Sequence, residues 1–171
     1  MSDLLANRRN LLLAPLLAAL PLALGSQARA APLDPAETII TLPDRIAWKT
    51  RPGWPKRSVT SANLFGDLHE PGIYYELIRW YPGFMSAPHT YLTDRLCVVL
   101  SGTWWVNSGG DFDPARCVPA PTGTFIRRVA HTPHYDGVPA DGKQPATIAI
   151  CGIGPAGMKY VDPDKPGWRK V

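Results

Sequence analysis

The sequence predicts an all-β domain, a sandwich or barrel of many short strands, and three observations carry that prediction. Nineteen prolines and fifteen glycines punctuate 171 residues, and all but three of them lie after residue 30. Turn residues at that density cut a chain into short elements. After residue 31 no long segment spaces its apolar residues as a helix does, whereas β-branched and aromatic runs recur between turn signals. Such strands close into a sandwich or barrel rather than a layered α/β domain.

Residues 1–30 read as an export signal. Arg8 and Arg9 open a basic start, Leu11 to Leu24 form a short apolar run broken by Pro15 and Pro21, and Ala28-Arg29-Ala30 supplies a small-x-small cleavage site. The run is too short and too interrupted for a membrane span. Arg8-Arg9 ahead of Asn10-Leu11-Leu12 also has the look of a twin-arginine signal. The expected location is therefore periplasmic or secreted, with no stable membrane anchor. Roughly 140 residues remain from Ala31 onward, enough for one domain with its own core. About half of the formal charge of +4 belongs to the leader. No dense Lys/Arg patch is left to hold phosphate backbones, which excludes nucleic acid as the expected partner.

The strands follow in order. Thr38 to Leu42, Ile46 to Thr50 and Ser58 to Phe65 are candidates, with Pro52-Gly53 and Pro55 between the last two. Alternation in the second puts Ile46 and Trp48 on one face, so Trp48 is expected to pack inward. Ile73 to Tyr81 is a strong strand with Pro82-Gly83 as its turn. Arg95 to Leu100 and Thr103 to Val106 flank Ser101-Gly102 as a hairpin, and Asn107 to Asp113 form a polar loop. Thr124 to Val129, His134 to Asp136 and Ala146 to Gly152 complete the set.

Two blocks stand out. In GFMSAPHTYLTDRLCVVLSG, residues 83–102, Gly83 is followed after five residues by His89, then Tyr91, Arg95 and Gly102. In GTFIRRVAHTPH, residues 123–134, Gly123 leads to His131 and His134. The pair resembles the two motifs of the cupin superfamily, small jelly-roll barrels that often hold one metal ion. The glycine spacings and the first and last histidines match. Tyr91 stands where that family has its second histidine, Arg95 where it has glutamate, and Val129 and His131 where it has proline and glycine. Flanking phrases in the same order, from LPDRIAWKT at 42–50 to GIGPAGMKYVDP at 152–163, extend the resemblance over residues 37–163. It implies a single-domain cupin-type jelly-roll barrel over residues 31–171, with a homodimer as a plausible assembly.

Residues two apart on a strand share a face, so His89 and Tyr91 should point together, with Arg95 and Cys97 continuing that face. Under the resemblance His134 converges on them across the barrel. Candidate metal ligands are His89 and His134, with Tyr91 and His131 competing for the remaining position. Imidazole suits several transition metals, so the expected cofactor is a divalent ion of no particular identity. Arg95 and Tyr91 are the candidate catalytic residues, Arg95 to hold a carboxylate and Tyr91 or His131 as acid or base. An inward arginine needs an anionic partner, and Asp94, Glu76 or a ligand carboxylate are the candidates.

Two function classes stay open. One is an exported metal-dependent enzyme, an oxidoreductase or a lyase, acting on a small organic, carboxylate-bearing substrate. The other is a metal-free module whose barrel binds a small molecule without turning it over. Of the remaining residues, one of Trp104 and Trp105 is expected in the core and the other outside. Arg127 and Arg128 read as an outward strand residue and its neighbour. Three cysteines allow at most one disulfide. Cys97 and Cys151 read as buried thiols and Cys117 as the most exposed. His69 reads as a solvated loop residue.

Overall fold

The computed structural model describes residue 34 and residues 36–171. The predicted export signal at 1–30 lies outside the described residues. The chain divides at Thr41, and the domain that carries the site is Leu42–Val171. Its strands are β1 Lys49–Thr50, β2 Val59–Phe65, β3 Gly72–Trp80, β4 Phe84–Ser86, β5 His89–Thr90, β6 Arg95–Ser101 and β7 Thr103–Ser108. They continue with β8 Val118–Pro121, β9 Phe125–Arg128, β10 His134–Val138, β11 Ala146–Gly154, β12 Lys159–Tyr160 and β13 Trp168–Lys170. Apart from two single-turn 3-10 helices at Pro43–Arg45 and Pro114–Arg116, no helix occurs among the described residues.

Two antiparallel sheets face each other. The first runs β1-β2-β3-β11-β6-β9. In the second, β10 is central, with β7 and then β8 on one side and β4 and β5 on the other, flanked by β13 and β12. β4 and β5 are one edge interrupted at Ala87-Pro88, where proline cannot donate to the ladder. The burial pattern follows the two-residue period of a strand. On β6, Arg95, Cys97 and Val99 are buried, while Leu96, Val98 and Leu100 are exposed. Ile148 and Ile150 of β11, Tyr74, Ile78 and Trp80 of β3, and Trp104 of β7 complete the inner face.

Several expectations change. Thr38 to Leu42 form no strand, and only Lys49–Thr50 of the second candidate pairs, so Trp48 is half-buried beneath Arg79 rather than in the core. Ser101-Gly102 is not a hairpin: β6 pairs with β11 and β9, β7 with β10 and β8, and the chain changes sheets between them. Gly102 makes that corner at φ +75°, where a Cβ would lie 2.4 Å from the Pro145 carbonyl oxygen. Trp104 is in the core. Trp105 packs outside the second sheet with Met85, Tyr135 and Phe112. Cys117 belongs to that same outer cluster and is buried, contrary to its expected exposure, because the loop ahead of β8 lies over this face. All three cysteines are free.

Candidate functional site

β5 and β10 are neighbours, and His89 and His134 are direct cross-strand partners with ring centroids 4.5 Å apart. His134 therefore stands beside His89 and faces Arg95 and Cys97 of the opposite sheet across a shared cavity. Each imidazole is held the same way. Nδ1 of His89 donates to the Ala87 carbonyl at 2.8 Å, and Nδ1 of His134 to the Thr132 carbonyl at 3.0 Å. A carbonyl oxygen only accepts, so the proton sits on Nδ1 and the Nε2 lone pair is left free. Burial lowers His89 to about 4, opposed by Asp136, and lowers His134 to about 3, reinforced by His89 and Arg128. Both rings are neutral at pH 7.

The third member is Asp136, two residues beyond His134 and so on the same face of β10. One donor atom each from His89, His134 and Asp136 lies within 4.8 Å of the others, and all three residues are buried. The carboxylate is anchored by Trp104, whose Nε1–H donates to Oδ1 at 3.2 Å, and by Arg128, whose Nη2 donates to Oδ2 at 3.2 Å. Each oxygen keeps a lone pair beyond those bonds. Alternation carries Arg128 inward and leaves Arg127 outside on Asp94 at 2.6 Å.

Tyr91 and Arg95 form the adjoining wall. The Arg95 guanidinium carbon sits 4.1 Å from the Tyr91 ring centroid, and its Nη2 donates to Glu76 Oε1 at 2.7 Å. Of the partners expected for Arg95, Glu76 takes the place and Asp94 does not. Tyr91 stacks on His134 at 5.8 Å and donates its hydroxyl to Met158 Sδ at 3.5 Å. Burial pushes its phenol up to about 12, with Arg95 opposing, so without a bound cation Tyr91 keeps its proton at neutral pH. Cys97, at the floor, is pushed up to about 11 by burial and stays a thiol.

His131 is not brought to the cluster. It occupies an exposed turn at φ +62°, and its backbone N–H donates to the Tyr91 carbonyl at 2.8 Å. The left-handed backbone explains why this position can also carry glycine, and His131 is not among the residues that line the cavity. The residue that the sequence reading missed is Asp136. The signal was available, because the alternation that pairs His89 with Tyr91 pairs His134 with Asp136.

The donors fit a divalent ion. Two neutral imidazoles with free Nε2 atoms and one carboxylate make a set common to transition metals, with the Nδ1–carbonyl bonds orienting the rings as metal-bound histidines require. The cavity of about 30 Å³ accommodates an ion or a water. No family model and no curated protein matches this sequence. Among solved structures, the polyketide cyclase RemF from Streptomyces resistomycificus aligns with a TM-score of 0.60 at 13% identity, over 73% of this chain and 86% of that one. A cupin-2 domain protein from Rhodospirillum rubrum aligns at 0.54 and 14% identity, over 74% and 82%. The DMSP lyase DddQ from Ruegeria pomeroyi aligns at 0.55 and 11% identity, over 71% and 64%. The chain has the cupin fold, a jelly-roll barrel whose solved examples include enzymes, and its inner face sets His89, His134 and Asp136 where they could hold a metal ion.

Proposed function

We propose that this protein is an exported metal-dependent enzyme of the cupin fold, an oxidoreductase or a lyase, acting on a small organic substrate. His89, His134 and Asp136 hold the divalent ion, with Asp136 in the position for which Tyr91 and His131 were candidates. The observation that carries this reading is the convergence of three buried donors whose imidazoles are already neutral and oriented. When bound, the ion supplies a Lewis acid at the inner end of the cavity.

The chain's own residues do the rest. Arg128 and Trp104 fix the Asp136 carboxylate, and Ser86 Oγ accepts the Asp136 N–H at 3.0 Å, which holds β10 in register behind it. Tyr91 presents the face of a protonated phenol, its hydroxyl donated to Met158 Sδ, and Arg95 acts through it as a positioning residue, since Glu76 occupies its guanidinium. Ile148, Ile150 and Val59 exclude water from the floor. The first sheet leaves Leu96, Val98, Ile73, Ile153 and Phe125 exposed on its outer face, which supports a homodimer through that sheet.

One observation favours the alternative, a metal-free binding module. Arg128 already gives Asp136 a buried counter-cation at 3.2 Å, so the carboxylate needs no metal to be satisfied. Metal content decides between them. The full chain, purified without a metal-affinity tag and supplied with Mn, Fe, Ni, Cu or Zn salts, should carry about one ion, lost on His89→Ala, His134→Ala or Asp136→Ala. Absence of uptake from all five salts would sink the metalloenzyme reading and leave the binding module.

A further inference from the structure

Outside the barrel cavity lies a second, open cleft of about 430 Å³. Arg51 and Tyr91 line both spaces, so these two side chains form the partition between them. We infer that this outer cleft is the seat of the organic substrate and that it takes a small carboxylate with an apolar body, anchored by Arg51 and Lys49. The inference deepens the functional reading above and rests on it for the chemistry, although not for the binding.

Size decides the location first. An inner cavity of about 30 Å³ holds a water or an ion and no organic molecule, whereas the outer cleft is in the range of small-molecule sites. Charge decides the ligand. Among the described residues the one carboxylate on the cleft wall, Glu76, is tied to Arg95 at 2.7 Å. Lys49 and Arg51 form no ion pair among the described residues, so the cleft presents unopposed cations beside that neutralised acid. Arg51 is half-buried, with its guanidinium carbon 4.9 Å from the Trp54 ring centroid. Stacking of that kind restricts the plane and leaves the N–H edge for a bidentate carboxylate. Leu68 and Met158 supply the apolar wall.

This assignment corrects the role expected of Arg95. Its guanidinium is occupied by Glu76 and the Tyr91 face, whereas Arg51, at the partition, is the cation with no acid of its own. The inner charges point the same way. Arg95 with Glu76 and Arg128 with Asp136 already cancel, so a divalent ion enters as uncompensated positive charge and favours an anion arriving past Tyr91.

The test uses the full chain, stripped with EDTA, and two probes of one shape, phenylacetate and phenylacetamide. Phenylacetate should bind in the millimolar range and the amide at least about tenfold more weakly. Arg51→Ala should lose about tenfold for the carboxylate alone, Arg51→Lys should recover part, and Arg127→Ala, an exposed arginine already paired with Asp94, should change nothing. Equal affinity for the amide, undiminished binding by Arg51→Ala, or no binding of phenylacetate would overturn the proposal. Adding Mn²⁺ separates it from the metal reading. Enhanced relaxation of the phenylacetate ring protons, abolished by His89→Ala while affinity is kept, supports both. Arg51-dependent binding without that relaxation keeps the cleft and removes the metal, and Mn²⁺ uptake without phenylacetate binding removes the cleft.

Discussion

Replacing Glu76 by glutamine removes the only carboxylate that pairs with Arg95 among the described residues. The two side chains are 10% and 6% exposed, and their contact is a single 2.7 Å bond from Nη2 to Oε1. Arg95 has little in reserve, since its Nε–H already has no hydrogen-bond partner and its guanidinium lies against the face of Tyr91. An arginine does not escape by losing its proton. Breaking a buried pair on one side typically costs about 3–5 kcal/mol, because the surviving charge stays buried. For a domain of this size 1 kcal/mol is worth about 3–4 °C in Tm, so the loss should be on the order of 10–15 °C. Urea titration of Glu76→Gln, Arg95→Met and the double variant forms the cycle. The double variant should be more stable than Glu76→Gln alone, with a coupling energy of about 2 kcal/mol. Additivity within about 0.5 kcal/mol, or a Glu76→Gln cost below about 1 kcal/mol, would refute the claim that Glu76 satisfies Arg95. It would also return Arg95 to the role of substrate handle.

Three further outcomes are expected. In EDTA, stability should rise with pH between about 4 and 6.5: the unfolded His89 binds its proton at 6.5 and the folded one only at about 4, so the unfolded state holds more protons across that window. His89 alone accounts for about 3 kcal/mol, present above pH 6.5 and lost as pH falls through 4, and denaturant midpoints at pH 7.5 and 4.5 that coincide would contradict it. Gly137→Ala should destabilise by at least about 2 kcal/mol in the same titration, because its Cβ would fall 2.3 Å from the Phe84 carbonyl oxygen. Alkylation of the native chain followed by peptide mapping should mark Cys151, which is partly exposed, well before Cys97 and Cys117, both buried and pushed up to about 11. Early labelling of Cys117 would mean that its loop does not cover the second sheet.

The strands that could be read from the sequence are those whose two faces differ chemically. β3, β6 and β11 alternate or run apolar between Gly and Pro, and each appears within two residues of its expected bounds. The failures have a common cause, which is that pattern reports local conformation and not partner. Thr38 to Leu42 has β-forming residues and pairs with no strand among the described residues. Ser101-Gly102 looks like a hairpin turn because glycine at positive φ serves a hairpin and a sheet-to-sheet corner equally. Only the tertiary approach of Pro145 distinguishes them.

The site shows the same limit in a sharper form. His89 and His134 were legible because their spacing from Gly83 and Gly123 is a property of the chain. Asp136 was not, although one step of alternation from His134 reaches it. His131, three residues before His134, is the surplus histidine that could supply the ligand displaced by Tyr91. Three residues on a strand change faces, however, and His131 lies outside the strand altogether, in a left-handed turn. Strand periodicity, rather than residue type, therefore decides which candidate side chains converge on the cavity. The same rule sorts Arg127 from Arg128, one outside on Asp94 and the other inside on Asp136. What no periodicity supplies is the choice of partner: that Arg95 meets Glu76 and not Asp94 depends on β6 and β3 both flanking β11 in the first sheet.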